Sequence, residues 1–193
     1  LSTTITRVAV ALICVITVAG ISGCDALSGL LTDRGPAGGV VFYDKGEFTD
    51  GWRYLEAAPS DIEIDGEYYH VWGGHHNPVA GTSPEIGSGQ ANTAAIVAEY
   101  GESEPAEGTN EYAARLCDTY EHGGYDDWFL PSINELHEMY LDRESIGGFE
   151  PETYWSSSQE QQHTAFIYAF AGMTGGYSNL KTNPVRVRAI RAY

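Results

Sequence analysis

Apolar residues alternate in short runs at both ends of the chain and fall at helical spacing between them. Gly38-Gly39-Val40-Val41-Phe42-Tyr43 has the branched and aromatic content of a strand, and Asp44-Lys45-Gly46 should stop it. Trp52-Arg53-Tyr54-Leu55-Glu56-Ala57 alternates and reads as its hairpin partner, ended by Pro59. Residues 60–88 show neither period. Residues 90–100 are alanine-rich and predict a helix with Ala94, Val97 and Ala98 inward. Asn110 stands where it can cap a second helix, with Ala113, Leu116, Cys117 and Tyr120 as its apolar face. Residues 153–158, 164–170 and 185–191 return to strand patterns. Gly172, Gly175, Gly176 and Asn179 punctuate the long connection before the last of these.

The organising stretch is Gly123-Gly124-Tyr125-Asp126-Asp127-Trp128-Phe129-Leu130-Pro131-Ser132, with Glu135 three residues on. Ser132 and Glu135 have the spacing of a capping box, which predicts a third helix from Ser132 to about Asp142, with Ile133, Leu136 and Tyr140 inward. Trp128-Phe129-Leu130 is too short for a helix and suits a buried strand or core plug. The glycine pair should end the preceding helix. Strands, then helices, then strands predict an α+β fold of small, mostly antiparallel sheets, with the terminal strands brought together in one sheet.

The N-terminus bears on location. Arg7 precedes an apolar run, residues 8–20, that is short for a membrane span and suits the core of a signal peptide. The run ends at Ile21-Ser22-Gly23-Cys24, as bacterial lipoprotein signals do, with cleavage before the cysteine and acylation of its sulfur. The expected layout is therefore a signal peptide over residues 1–23, a lipidated Cys24 and tether over 24–37, and one domain over 38–193. Such a protein would be held by lipid on a membrane of the bacterial envelope, periplasmic or surface-exposed. With Cys14 removed and Cys24 acylated, Cys117 has no partner for a disulfide.

The formal charge is −17, and loss of residues 1–23, which carry only Arg7, makes it −18. A balance so acidic excludes nucleic acid and electrostatic docking on anionic lipid, both of which need a basic footprint.

Candidate chemistry is sparse. His70, His75 and His76, with Asp65 or Glu67 nearby, invite a metal-dependent hydrolase reading, yet no ligand spacing is fixed. Asp126 and Asp127 are adjacent and tend to point apart, which suits turns and caps better than a calcium or acid/base pair. Cys117 lies on an apolar helix face, as a buried inert thiol would. Ser156-Ser157-Ser158 follows Trp155 on a strand and lacks the G-x-S-x-G elbow of a serine nucleophile. No enzyme is expected. Residues 159–183 instead combine glycines with Gln159, Gln161, His163, Tyr168, Tyr177, Asn179 and Asn183. Tyrosine with Asn and Gln supplies rigid amphipathic area and adaptable hydrogen bonds, as in antibody paratopes, so these seven are the candidate ligand-binding residues. Arg186 and Arg188 should pair with carboxylates in a structural role.

Six stretches, in order from about residue 38 onward, carry a resemblance. They are the residues of the first hairpin (38–43 and 50–59), Gly89-Gln90-Ala91-Asn92-Thr93, Gly124 to Ser132, Tyr154-Trp155-Ser156-Ser157-Ser158 and Val185-Arg186-Val187-Arg188. Together they resemble the C-terminal domain family of the Legionella collagen-like protein. The resemblance implies a C-type-lectin-like fold, with helices packed on small sheets, adjacent N- and C-terminal strands and a long irregular region that often binds. It implies a membrane-anchored, non-catalytic module for a glycan or protein ligand; a structural or assembly lipoprotein of the envelope is the alternative. No cofactor is implied. Calcium is possible for such a fold, but the Glu-Pro-Asn and Trp-Asn-Asp signatures of calcium-dependent lectins are absent, and the acidic charge disfavours a sulfated glycan.

Overall fold

The computed structural model describes residues 34–74, 78–101, 109–171 and 175–193. The signal, Cys24 and the tether as far as residue 33, His75, His76 and Gly172 lie outside the described residues.

The described chain is α+β, with two small sheets and four helices. A long hairpin opens it: β1 (Val40–Thr49) pairs antiparallel with β2 (Trp52–Ala57). Asp44-Lys45-Gly46 does not end β1 as expected. The strand absorbs these residues through irregular register and turns only at Asp50-Gly51, where both residues take positive φ (51° and 84°). That is the two-residue Asp-Gly hairpin signature, displaced by one charged cluster from where the first glycine suggested. A two-residue strand, β3 (Tyr69–His70), interrupts the otherwise irregular region that follows.

Helix α1 (Gly89–Tyr100) forms where the alanines predicted it, but with another face inward. Ala94 and Ala98 are exposed, while Asn92, Thr93, Ile96 and Tyr100 are buried. The buried polar pair is fully used. Asn92 Oδ1 accepts from the Ser83 amide, and its Nδ2 donates to the Ser83 carbonyl and to Ser157 Oγ. Thr93 Oγ1 accepts from the Leu130 amide. Apolar content marks the inner face only when buried polar groups have no internal partners. Helix α2 (Ala113–Asp118) buries Ala113, Leu116 and Cys117 as its spacing predicted, but its N-cap is Tyr112, not Asn110. Gly123 and Gly124 do not cap this helix. They form a tight turn bridged by His122 and Tyr125.

The organising stretch behaves as its composition implies. Trp128, Phe129 and Leu130 are buried, and Phe129 exchanges backbone hydrogen bonds with Ile190. Helix α3 (Ile133–Leu141) opens with a complete capping box: Ser132 Oγ accepts from the Glu135 amide, and Glu135 Oε2 accepts from the Ser132 amide at 2.6 Å. Leu136 and Met139 are buried, with Ile133 and Tyr140 packed at the edge of the same core. A single turn, α4 (Arg143–Ile146), follows.

Strands β4 (Thr153–Gln159) and β5 (Thr164–Ala169) form the second hairpin. The glycine-rich connection is itself a strand, β6 (Gly175–Leu180), in unbroken antiparallel register with β5. The expected single last strand is split into β7 (Val185–Arg186) and β8 (Ile190–Ala192), which belong to different sheets. The three-stranded sheet has the order β1-β2-β8 and the five-stranded sheet β3-β7-β4-β5-β6. The C-terminal strand therefore joins the N-terminal hairpin, through β2.

The five-stranded sheet separates two cores. One face, with Trp155, Ile167 and Val185, packs with Trp72 and with α1 and α2; the other, with Tyr154 and Tyr168, packs with α3 and the three-stranded sheet. The arginines of the final segment are internal struts. Arg188, wholly buried, reaches Asp61 at 2.6 Å, and Arg186 meets Asp61 and Glu152, both at 3.0 Å. Arg191 makes a two-pronged bond to Asp127 and a third to buried Glu56.

Candidate functional site

The seven candidate ligand-binding residues occupy β4 to β7, and the fold divides them. Gln159 is a fastener. Its Oε1 accepts from the Val79 amide at 2.8 Å and from Lys181 Nζ at 2.5 Å, tying the 78–82 loop to the sheet. Tyr168 is buried among His137, Tyr140 and Phe170, and its hydroxyl is 2.8 Å from His137 Nδ1. Tyr168 pairs with Gly176, while Tyr177 pairs with Ile167. Side chains of directly opposed residues share a face, so Tyr168 and Tyr177 point to opposite sides of the sheet. Gln159 and Tyr168 are thus structural, and alternation along β4 and β5 could not show it because both faces of this sheet are covered.

The other five remain at the surface. Thr164 pairs with Leu180, so the β4–β5 turn, which carries Gln161 and His163, lies beside the end of β6 and the turn beyond it. The Lys181 amide donates to the His163 carbonyl at 3.0 Å, fixing that juxtaposition. Asn179 Oδ1 accepts from Asn183 Nδ2 at 2.7 Å and from the Leu180 amide at 2.9 Å, which shapes the turn. Gln161, His163 and Asn183 are exposed there, and Tyr177, 46% exposed, stands further along β6 on the same face as Asn179.

Lys181, beneath this patch, is the residue that sequence reasoning missed. Its side chain is wholly buried, with Nζ 4.4 Å from the centre of the Trp72 ring and bonded to Gln159. Burial pushes its pKa down to about 8, opposed by the Glu99 carboxylate. A lysine in a glycine- and asparagine-rich turn gives no sequence signal of burial, because the covering loop, residues 78–82, lies about a hundred residues away.

His70 is buried with Nε2 unpaired, and burial lowers its pKa. Among the described residues no three His, Cys, Asp or Glu side chains converge as metal ligands. Burial pushes the Cys117 thiol well up, away from the thiolate that nucleophilic chemistry needs. Ser156, Ser157 and Ser158 spend their hydroxyls on the Phe166 carbonyl, on Asn92 and on the Ser83 carbonyl. Asp127 is held below the usual carboxylate range by its Arg191 partner.

Clefts of about 330, 480 and 280 Å³ lie away from the candidate residues: between the 60–68 segment and the end of α2, at the 121–126 turn, and around residues 143–150.

No protein-family model matches the chain, and no curated protein matches it.

Proposed function

We propose that this is an extracytoplasmic binding module of C-type-lectin-like fold, without catalytic activity, anchored to a bacterial envelope membrane through acylated Cys24. Its ligand is a glycan or a protein, met by the surface of Gln161, His163, Tyr177, Asn179 and Asn183. One observation carries the reading: in a chain of charge −17, the edge strand β6 and its flanking turns expose amide, imidazole and phenol groups with one carboxylate, Glu160, among them. Such groups bind by hydrogen bonding and stacking, and need neither a metal nor a deep pocket.

A second reading is an assembly role in the envelope. It is favoured by β6 itself, which ends its sheet among the described residues without the charges, proline or bulges that blunt most edges.

The test is a glycan-array screen with and without calcium. It compares the wild-type protein with a variant in which Gln161, Tyr177 and Asn183 are replaced by Ala. Binding that is lost in a variant of unchanged melting temperature supports the lectin-like module. No binding in either condition overturns the glycan ligand and leaves the strand edge as the surface to probe.

A further inference from the structure

The cleft of about 330 Å³ is built from two segments with no part in the surface discussed above. Its floor is apolar: Ile62 and Leu116 are buried and Ile64 is half-buried. Aromatic rings stand at its sides. Tyr68 comes from the small hairpin that turns at Asp65-Gly66, and Tyr120 from the residues just past α2. Tyr120 is held from behind, stacked on His122 (ring centres 6.0 Å apart) and edge-on to Trp128 at 5.5 Å. The wall therefore exists before any ligand arrives, which spares binding the cost of ordering it.

Concavity, an apolar floor and fixed aromatic sides are what small-molecule sites share, and the volume lies at the small end of their range. The charged groups decide the sign of the ligand. Asp61, at the base, is already matched by Arg186 and Arg188. Glu63 and Glu121, both exposed on the lining, have no such match among the described residues; there Glu63 accepts a neutral hydrogen bond from the Tyr68 hydroxyl at 2.8 Å. A cation above an apolar floor thus meets carboxylates and ring faces together, and the molecule's net negative field concentrates cations at its surface. An anion would meet these two carboxylates, because the nearby Arg186, 5.2 Å from the centre of the Tyr68 ring, is already matched by Asp61 and Glu152.

We propose that this cleft binds a small organic cation, a guanidinium or ammonium group on a short apolar stem. The stem lies on Ile62, Ile64 and Leu116, and the charged head sits between Glu63 and Glu121. The same chemistry comes from a free amine or from an arginine or lysine side chain of a protein partner. This site is independent of the glycan or strand-edge readings.

The experiment is a methyl-resolved NMR titration of the protein with n-butylguanidinium and, as a neutral control of the same shape, n-butylurea. The guanidinium is expected to shift the methyls of Ile62, Ile64 and Leu116 saturably, while the urea leaves them in place. Replacing Glu63→Gln together with Glu121→Gln should weaken binding about tenfold, since two partly exposed ion pairs are lost. Both side chains are exposed and glutamine keeps an acceptor for Tyr68, so the fold is not at stake. A capped peptide with one arginine between alanines separates the sources. Binding about tenfold tighter than the free guanidinium assigns a protein side chain, by the extra contacts a backbone makes, and equal binding assigns a free cation. Unmoved methyls, equal response to the urea, or full affinity in the double variant would overturn the proposal.

Discussion

Asp61 serves two arginines beneath the surface, and the Tyr154 hydroxyl also donates to it at 2.9 Å. Arg188 has no exposed atoms through which water could replace that carboxylate. Asp61→Asn is therefore expected to destabilise the protein by about 3–5 kcal/mol, the cost of leaving a buried charge without its partner. It should show as a lower urea midpoint at unchanged slope. Lys181 gives the pH counterpart. Its folded pKa is about 8 against an ordinary lysine value of 10.5. Between those values the unfolded chain holds a proton that the folded chain has released, so stability attributable to Lys181 rises with pH across the window. Below about pH 8 both states are protonated and the burial cost stands in full. The stability of wild type minus that of Lys181→Met should increase between pH 8 and 10.5; a flat difference in urea titrations would place the ammonium in water instead.

At the level of elements, local chemistry is strongest where two groups satisfy each other. The Ser132–Glu135 box was legible because both partners lie within one turn, and Ser132→Ala should cost about 1 kcal/mol, read as a lower melting temperature. The plug Trp128-Phe129-Leu130 and the hairpin partner β2 were legible for the same reason, their pattern being local. The inner face of α1 was not. Asn92 and Thr93 face inward because Ser83, Ser157 and Leu130 supply partners from three separate segments. The split of the last strand was equally hidden, since alternation through residues 185–191 is continuous and only the competing sheets decide where it breaks. Of the candidate residues, exposure alone was legible in part: Gln161, His163, Tyr177 and Asn183 stay at the surface, whereas Gln159 and Tyr168 are engaged by the 78–82 loop and by α3.

Across the whole molecule, the five-stranded sheet with a core on each face leaves Cys117 in the interior as a free thiol. Its modification by an added thiol reagent should follow the population of opened molecules, so the rate should be negligible in native buffer and climb with urea in step with unfolding. A fast native reaction would mean that α2 opens on its own. The closing of both sheets depends on residues far apart in the chain: β8 completes the sheet of β1 and β2, and the amides of Arg53 and Tyr54 both donate to the Tyr193 carbonyl. A ribosome makes those contacts possible only after some 140 further residues have been added to the hairpin. The N-terminal half thus cannot lock while it is being synthesised, and its folding waits on late, long-range closure. In the exported lipoprotein proposed above, which would be threaded through a narrow translocation channel before folding, this order of strands would act as a built-in delay.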